Sequence, residues 1–277
     1  MAGLQELRKR LRSIRSTGQL AAAMRTAATA KYARLNRVRG EFSPYARACE
    51  DMLHHLGSAG VRRETEEIRR RDAVVLMSSN RGLCGGFNAE LFRFFAQREQ
   101  HGEEPPLLLV CGKKAAGWCR EQGLETEEHI LSDVPDYAEA KALAERLREL
   151  YVTGQAERIL VVYQSFHNML TQVPAERQLL PEPGLTAGTA DRQLLYLPDR
   201  ETIGDSLAVS CMDAAVYDLA LENAAGAQAA TLVAMRSACD NAEASAAKLE
   251  ITINRRRQAE VTASVIETAS GNLQQGD

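Results

Sequence analysis

Apolar residues recur at a regular spacing over the last quarter of the chain. Between Gly204 and Gly271 the sequence has no proline and only one internal glycine, Gly226. Positions reached from Leu207 by alternating steps of four and three residues are apolar or small, except Asp218 and Gln228. A 3.5-residue repeat sustained over so many heptads is typical of a left-handed coiled coil, and it disfavours an ordinary long helix on a globular core. The repeat consists of Leu207, Cys211, Ala214, Asp218, Leu221, Ala225, Gln228, Leu232, Met235, Cys239, Ala242, Ala246, Leu249 and Ile253.

A second stripe with the same spacing begins near the N-terminus. It ends close to the first proline, Pro44, and predicts a helix from Gly3 to Ser43. Because the two stripes lie at opposite ends of the sequence, a single chain buries both by folding the two helices antiparallel on each other. The middle of the chain then forms a separate lobe. The second stripe consists of Leu4, Leu7, Leu11, Ile14, Gly18, Ala21, Arg25, Ala28, Tyr32, Leu35, Arg39 and Phe42.

The middle of the chain alternates short apolar runs with amphipathic segments. This alternation predicts a three-layer lobe around a mostly parallel sheet. A group of prolines and a glycine, Pro174, Pro181, Pro183 and Gly188, predicts a loop before the chain returns to the C-terminal helix. The predicted strands are 73–77, 107–111, 125–130 and 158–164, with an edge strand at 193–197, and the predicted helices are 88–100, 113–122 and 137–152.

The predicted fold class is therefore α/β: a long antiparallel two-helix coiled coil formed by both chain ends, plus a central Rossmann-like α/β lobe. The predicted domains are an N-terminal coiled-coil helix at 1–56, the central lobe at 72–198 and a C-terminal coiled-coil helix at 199–271.

Charge is distributed unevenly along the chain. The 277 residues carry a formal net charge of -3, which gives no overall bias toward nucleic acid. The N-terminal helix, however, is strongly basic, with Glu6 as the only acid before residue 41. Three interpretations stay open: a mitochondrial transit peptide, a nucleic-acid-binding helix, and a solvated helix face that passes acidic loops of a partner. No apolar run approaches the roughly 20 residues of a membrane span.

The most distinctive local motif is the glycine-rich turn Ser78–Asn88, between a predicted strand and a predicted helix. Its spacing is neither GxGxxG nor that of a P-loop, so a tight turn is favoured over a phosphate site. The six cysteines include no CxxC pair and the five histidines are scattered, so we expect no catalytic residues, no metal site and no cofactor.

Four motifs, in order along the chain, resemble one known family. They are Ser16–Met24, Arg81–Asn88, Val233–Arg236 and Asn254–Ala259. Over nearly its whole length the chain resembles the gamma subunit of the rotary ATP synthase. The family's most specific internal motif matches the turn that contains Arg81, Gly82, Gly85 and Gly86.

The resemblance implies a function as the central rotor shaft, which has no active site of its own. It implies partners as well: the alpha and beta subunits of the catalytic hexamer, the epsilon subunit and a ring of c subunits. We therefore expect a peripheral membrane protein on the cytoplasmic face of the plasma membrane, with no direct membrane insertion and no nucleic acid bound. The alternative is a basic coiled-coil protein that binds nucleic acid.

The resemblance also implies contacts with the beta subunit. By the family match, Arg257 and Gln258 hydrogen-bond an acidic loop of beta, Arg256 lies nearby, and Met24 occupies a position of the N-terminal helix close to this region.

Three positions depart from the family's pattern. Ala22 stands where the family has lysine, Thr231 where it has arginine, and Ser264 where it has glutamate. All three lie in the predicted coiled-coil helices, so we expect this chain to differ from its relatives there.

Overall fold

A computed structural model describes residues 2–56, 61, 63, 71–99, 104–182, 197 and 199–273. Along the sequence, two long helices flank a segment in which strands and shorter helices alternate. The elements in chain order are α1 (Ala2–Leu56), β1 (Ala73–Met77), α2 (Phe87–Glu99), β2 (Leu107–Cys111), α3 (Lys113–Glu121), β3 (Glu127–Glu128), α4 (Tyr137–Val152), β4 (Ile159–Phe166), β5 (Gln172–Leu180) and α5 (Arg200–Leu273).

Helix α1 is longer than the first proline suggested, since it continues through Pro44 to Leu56. Pro44 lies on the exposed side of the helix, as does Gly40, whose carbonyl loses its helical partner there. Water satisfies an exposed carbonyl, so the helix tolerates the proline at this place. The buried stripe continues with the same spacing through Cys49, Leu53 and Leu56.

Helix α5 contains 74 residues and begins at Arg200, four residues before Gly204. Asp199 caps its start: one carboxylate oxygen accepts from the Thr202 backbone N–H at 2.8 Å and the other from the Thr202 hydroxyl at 2.9 Å. The backbone hydrogen bond from Thr202, and then that from its side chain, lower the pKa of Asp199. The cap fixes the point at which the chain enters the helix.

The chain forms two compact units. One consists of the residues up to Ala27 together with those from Ala234 onward, and the other is Ala28–Val233. Helices α1 and α5 contribute to both units. The predicted domain boundaries at 56, 72, 198 and 199 stay a prediction.

In the first unit the two helices run antiparallel. Ala21 packs with Met235 and Cys239, and a Cβ on Gly18 would lie 3.1 Å from the Ala242 Cβ. The predicted seam is confirmed here, because its members are buried or half-buried while the residues between them are mostly exposed. These members of α5 are Met235, Cys239, Ala242, Ala246, Leu249 and Ile253.

The second unit is built on a five-stranded sheet in the order β3-β2-β1-β4-β5. Strands β1 to β4 are parallel, with Val75 opposite Leu109 on one side and Val161 on the other. One face packs on α2 and α3 through Leu91, Phe95 and Cys119, and the other on α1, α4 and α5. The predicted three-layer α/β arrangement is confirmed.

The prediction of a loop was wrong at Pro174 but not at Pro181, which follows the end of a strand, and Pro183 and Gly188 lie outside the described residues. Residues Gln172–Leu180 form β5, which pairs antiparallel with β4 and makes the sheet mixed. β5 is the edge strand, where a proline costs no hydrogen bond within the sheet. Strand β3 is only two residues long, at Glu127–Glu128. Of the predicted edge strand at 193–197, residues 193–196 lie outside the described residues.

Between Met212 and Ala229, within the second unit, α5 is buried or half-buried on every side rather than along one stripe. Seam positions Ala214 and Leu221 are buried, but so are Val216 and Leu219, which lie off the seam. The reason is that this part of α5 contacts the sheet and α4 as well as α1. The 3.5-residue pattern therefore accounts for α5 in the first unit and only partly in the second.

Gly112, between β2 and α3, adopts a φ of 116°, and an added Cβ would lie 2.4 Å from the Ser78 carbonyl oxygen. We expect Gly112→Ala to lower the free energy of unfolding by more than about 3 kcal/mol, because backbone strain and a clash with main-chain atoms add. Gly123→Ala is the matched control: its φ is 70°, but an added Cβ meets nothing within 4 Å. That variant should lose only about 1–2 kcal/mol. Urea unfolding followed by circular dichroism measures both, and equal losses would contradict the role of the clash.

Candidate functional site

The glycine-rich turn joins β1 to α2 and packs against α5. Cys84 and Phe87 are buried in a cluster with Ala227, against which Ala230 also packs. At Gly226 an added Cβ would lie only 3.2 Å from the Phe87 ring. Gly226 therefore lets the turn approach α5 closely.

Asn88 holds the turn closed from the first turn of α2. Its Oδ1 accepts from the Ser79 backbone N–H at 3.1 Å, while its Nδ2 donates to the Ser79 hydroxyl at 2.8 Å and to Cys84 Sγ at 3.1 Å. Ser79 Oγ in turn donates to the Arg81 carbonyl at 2.6 Å. These bonds fix the path of the backbone from β1 to α2.

The four motif residues lie on the outer side of this turn. The Arg81 side chain is 78% exposed, and Gly85 has a φ of 58°. Gly86 leaves room for Glu90, whose Oε1 would lie 2.7 Å from an added Cβ, and Gly82 lies beside the Lys114 side chain. The neighbouring Leu83 has a φ of 66° and is 61% exposed. The turn thus presents one cation and one large apolar side chain to a partner.

Asp133 connects the start of the turn to α1. It pairs with Lys31, accepts from Asn80 Nδ2 at 3.2 Å and lies 3.5 Å from the Arg81 guanidinium. Burial alone would raise the pKa of the Asp133 carboxyl, but hydrogen bonds from Lys31 and Asn80 lower it below its ordinary value. The carboxylate stays charged and joins the loop before α4, the turn and α1.

The backbone amides at the start of α3 already have protein partners. Asn80 Oδ1 accepts from the Lys113 N–H at 3.1 Å, the Ser79 carbonyl from the Lys114 N–H at 3.2 Å and the Ser78 hydroxyl from the Ala115 N–H at 2.8 Å. A phosphate would have to displace these bonds. The geometry favours a simple turn between β2 and α3 over a phosphate site there.

The predicted coupling residues lie in the other unit, on an exposed part of α5. Arg256, Arg257 and Gln258 are all exposed. The Arg256 guanidinium lies over the start of α1, with its atoms 3.2 Å from where a Cβ on Gly3 would be. Arg256 thus lies beside the start of α1, and Arg257 and Gln258 are exposed to the surroundings of the helix pair.

Met24 does not lie beside these residues. It is half-buried and packs on Ala21, Met235 and Cys239. Gly3 marks the level of Arg256, and Met24 lies about 30 Å further along α1 at 1.5 Å per residue. The structure therefore separates Met24 from Arg256, Arg257 and Gln258, so these four residues do not form one contact site.

A buried polar junction in the second unit was missed at the level of sequence. Glu222 and Asn223 of α5 are 9% and 6% exposed, and both bind the end of β4. Glu222 also pairs with Arg39 of α1 at 3.2 Å. The sequence offered two signals: the charged Arg39 within the N-terminal apolar stripe, and the adjacent polar residues Glu222 and Asn223 within an alanine-rich helix. Their partners are too distant in sequence for either signal to identify them.

The described residues contain no helix with both the length and the hydrophobicity that a bilayer crossing requires. Over the same ranges, no three His, Cys, Asp or Glu side chains are grouped so that they could hold a metal ion.

Comparisons with known proteins identify the family. The family model described as ATP synthase matches residues 3–272. The ATP synthase gamma chain of Heliobacterium modesticaldum is 32% identical over 287 residues, covering 98% of both chains. That of Histophilus somni is 30% identical over 285 residues, covering 98% of this chain and 99% of its own.

Solved structures show the same fold at low identity. A chain from the mitochondrial ATP synthase of Euglena gracilis, in rotational state 3, superposes with a TM-score of 0.72 at 19% identity, covering 99% of this chain and 95% of its own. A chain from the central stalk and c-ring of the Tetrahymena thermophila enzyme gives 0.62 at 20% identity, covering 79% of this chain and 99% of its own.

The sequence relatives span the whole chain, and the long paired helices with the mixed-sheet unit match the fold of the solved structures. The chain belongs to the ATP synthase gamma-chain family, as the non-catalytic central rotor stalk subunit.

Proposed function

We propose that the helix pair of this chain turns inside a hexamer of alpha and beta subunits, while its α/β unit contacts the epsilon subunit and the ring of c subunits. Ion flow through the ring then rotates the chain, and the chain biases each beta subunit toward a different conformation in turn. Such an effect requires differential contacts with the conformations rather than catalysis by the chain. The chain acts as a peripheral protein on the cytoplasmic face of the plasma membrane.

The exposed C-terminal part of α5 is the observation that carries this proposal. Arg256 already lies at the level of Gly3, so α5 continues past the start of α1. Val261, Val265 and Ile266 in this part are 58%, 61% and 60% exposed. Several large apolar side chains on one exposed stretch of helix mark a surface that a partner covers. A sleeve formed by a surrounding hexamer would cover every side of such a helix.

The coupling contacts follow from the same geometry. Arg257 and Gln258 adjoin the apolar stretch and lie free of the seam, so they can donate hydrogen bonds to an acidic loop of beta. Met24 would serve a second contact, about 30 Å away along the axis. In the α/β unit, the turn with Arg81, Gly82, Gly85 and Gly86 offers a third surface.

The nucleic-acid alternative has less support. The relatives and solved structures described above are named as ATP synthase gamma chains or as parts of ATP synthases. The basic side of α1 is also partly neutralised within the chain, since Arg15 pairs with Glu250. Binding to DNA or RNA would have to fall steeply with salt, so a filter-binding titration at two ionic strengths distinguishes the two functions.

Co-expression with the alpha and beta subunits of the same organism tests the proposed function. We expect a stable complex whose ATP hydrolysis exceeds that of the alpha and beta subunits alone, because the chain drives their conformations in sequence. Size-exclusion chromatography and a coupled ATPase assay measure both properties. A chain that neither assembles nor raises turnover would sink the proposal.

The double variant Arg257→Ala with Gln258→Ala tests the coupling site. We expect ATP hydrolysis by the assembled complex to fall about tenfold or more, since a hydrogen bond to a charged group contributes about 1.5–3 kcal/mol. The melting temperature of the chain should hardly change, because both residues are exposed.

Arg120→Ala, an exposed arginine in the α/β unit, is the control for loss of positive charge. It should leave hydrolysis unchanged. Equal activity of the double variant and the control would remove Arg257 and Gln258 from the coupling site.

A further inference from the structure

The junction between α5 and the sheet lies where β4 extends beyond the end of β1. Strand β1 pairs with β4 only as far as Val162, while β4 continues to Phe166. Beyond that point no strand among the described residues pairs with the β4 edge that faced β1. Side chains of α5 take over: Asn223 Oδ1 accepts from the Gln164 N–H at 3.3 Å, and Glu222 Oε1 from the Phe166 N–H at 2.8 Å. Helix α5 is thus hydrogen-bonded into the sheet as a neighbouring strand would be.

Glu222 links its own helix, α5, to two other elements. Its Oε1 also accepts from the Ser165 hydroxyl at 3.1 Å, and its Oε2 pairs with Arg39 of α1 at 3.2 Å. The Arg39 guanidinium lies 5.7 Å from the centroid of the Phe166 ring, which gives it a second contact with β4. One carboxylate therefore joins α1, α5 and β4, and the Glu222 side chain is only 12% exposed.

Small residues flank the junction on α5. Next to it the helix carries Ala220, Ala224, Ala225 and Gly226, while Leu219 packs in the core. Small side chains form shallow ridges, so these positions interlock with a neighbour less than Leu or Ile would. Hydrogen bonds to a buried charge are directional and roughly twice as strong as neutral ones. The bonds of Glu222 therefore add a directional hold on α5 to the apolar packing of the core.

We propose that Glu222 is the positioning residue through which torque passes from the sheet to both long helices. Its bonds to β4, with that of Asn223, hold α5, and its pair with Arg39 holds α1. The inference rests on the proposed rotor function, since only a rotating shaft needs the joint to resist twisting. If the joint yields, the α/β unit turns with the ring while the helices lag behind it. Ion movement and ATP turnover then become partly independent of each other.

Glu222→Gln distinguishes the link to α1 from the link to β4. The amide oxygen still accepts from Ser165 and Phe166, but the charge that pairs with Arg39 is lost. Arg39→Gln removes the same link from the α1 side and leaves the β4 contacts of Glu222 in place, so it serves if the first variant does not fold. Glu128→Gln is the matched control, because Glu128 also pairs with an arginine at 3.2 Å, but in an exposed position of the α/β unit.

The experiment uses the complete complex reconstituted in vesicles. ATP-driven uptake of protons or sodium ions is measured together with ATP hydrolysis, and melting temperatures are recorded for each complex. For Glu222→Gln and Arg39→Gln we expect at least about a twofold loss in ions moved per ATP, within the usual range for coupling changes. ATP hydrolysis by the soluble complex of each variant chain with the alpha and beta subunits should stay within about twofold of that of the wild-type complex. The double variant of Glu222→Gln and Arg39→Gln should lose no more ions moved per ATP than either single variant, because each single variant already removes the same link.

The possible results separate the inference from the function on which it rests. Unchanged ions per ATP in both variants would overturn the inference, as would a loss that only parallels reduced thermal stability or reduced assembly. A loss of equal size in Glu128→Gln would also overturn it. Failure of the wild-type chain to assemble or to stimulate hydrolysis would instead refute the proposed function.

Discussion

The antiparallel contact between α1 and α5 is the constraint on which the rest of the structure depends. In the first unit it brings Gly18 to Ala242, and in the second it brings Arg39 to Glu222. An isolated helix with a seam of alanine and cysteine gains little from burial, so each helix needs the other to remain folded. Because the partners come from opposite ends of the chain, everything between them must fold as an insertion.

The two units use this contact differently. In the first unit the helices meet through a narrow seam of small residues, and the Arg15–Glu250 pair is largely exposed. Such a pair contributes about 0–1 kcal/mol, so this part of the helix pair is held mainly by apolar packing. In the second unit α5 is enclosed by the sheet and by α4, and it is fixed by buried charges at Asp213 and Glu222. A smooth helix pair at one end and a firmly attached one at the other suit a rotating shaft.

Sequence periodicity predicted those features that depend on burial of a regular face. The two stripes, β1, β2 and α4 follow from apolar spacing, because local pattern and burial coincide there. Strand β5 was missed because edge strands carry polar residues and tolerate Pro174, both of which also indicate a loop. The stripe alone suggested an end near Ser43 for the same reason, since Pro44 lies on an exposed side where it costs little, and α1 runs on to Leu56.

The polar sites were harder to predict than the fold. The family motif located the turn at Arg81–Asn88, but not its closure by Asn88 or its link to Lys31 through Asp133. The junction of Arg39, Ser165 and Glu222 joins residues from three distant parts of the sequence. No local pattern reports such contacts, because the sheet must form before the charges meet. Likewise, only the register of the helices shows that Met24 and Arg257 lie far apart along the helix pair.

Rotation of a single molecule tests the central claim most directly. The alpha and beta subunits are fixed to a surface, and a visible probe is attached to the α/β unit of this chain. On addition of ATP, the account predicts that the probe turns steadily in one direction, in steps that follow hydrolysis by the three beta subunits in turn. A complex that assembles and hydrolyses ATP while the probe shows only random fluctuations would contradict it.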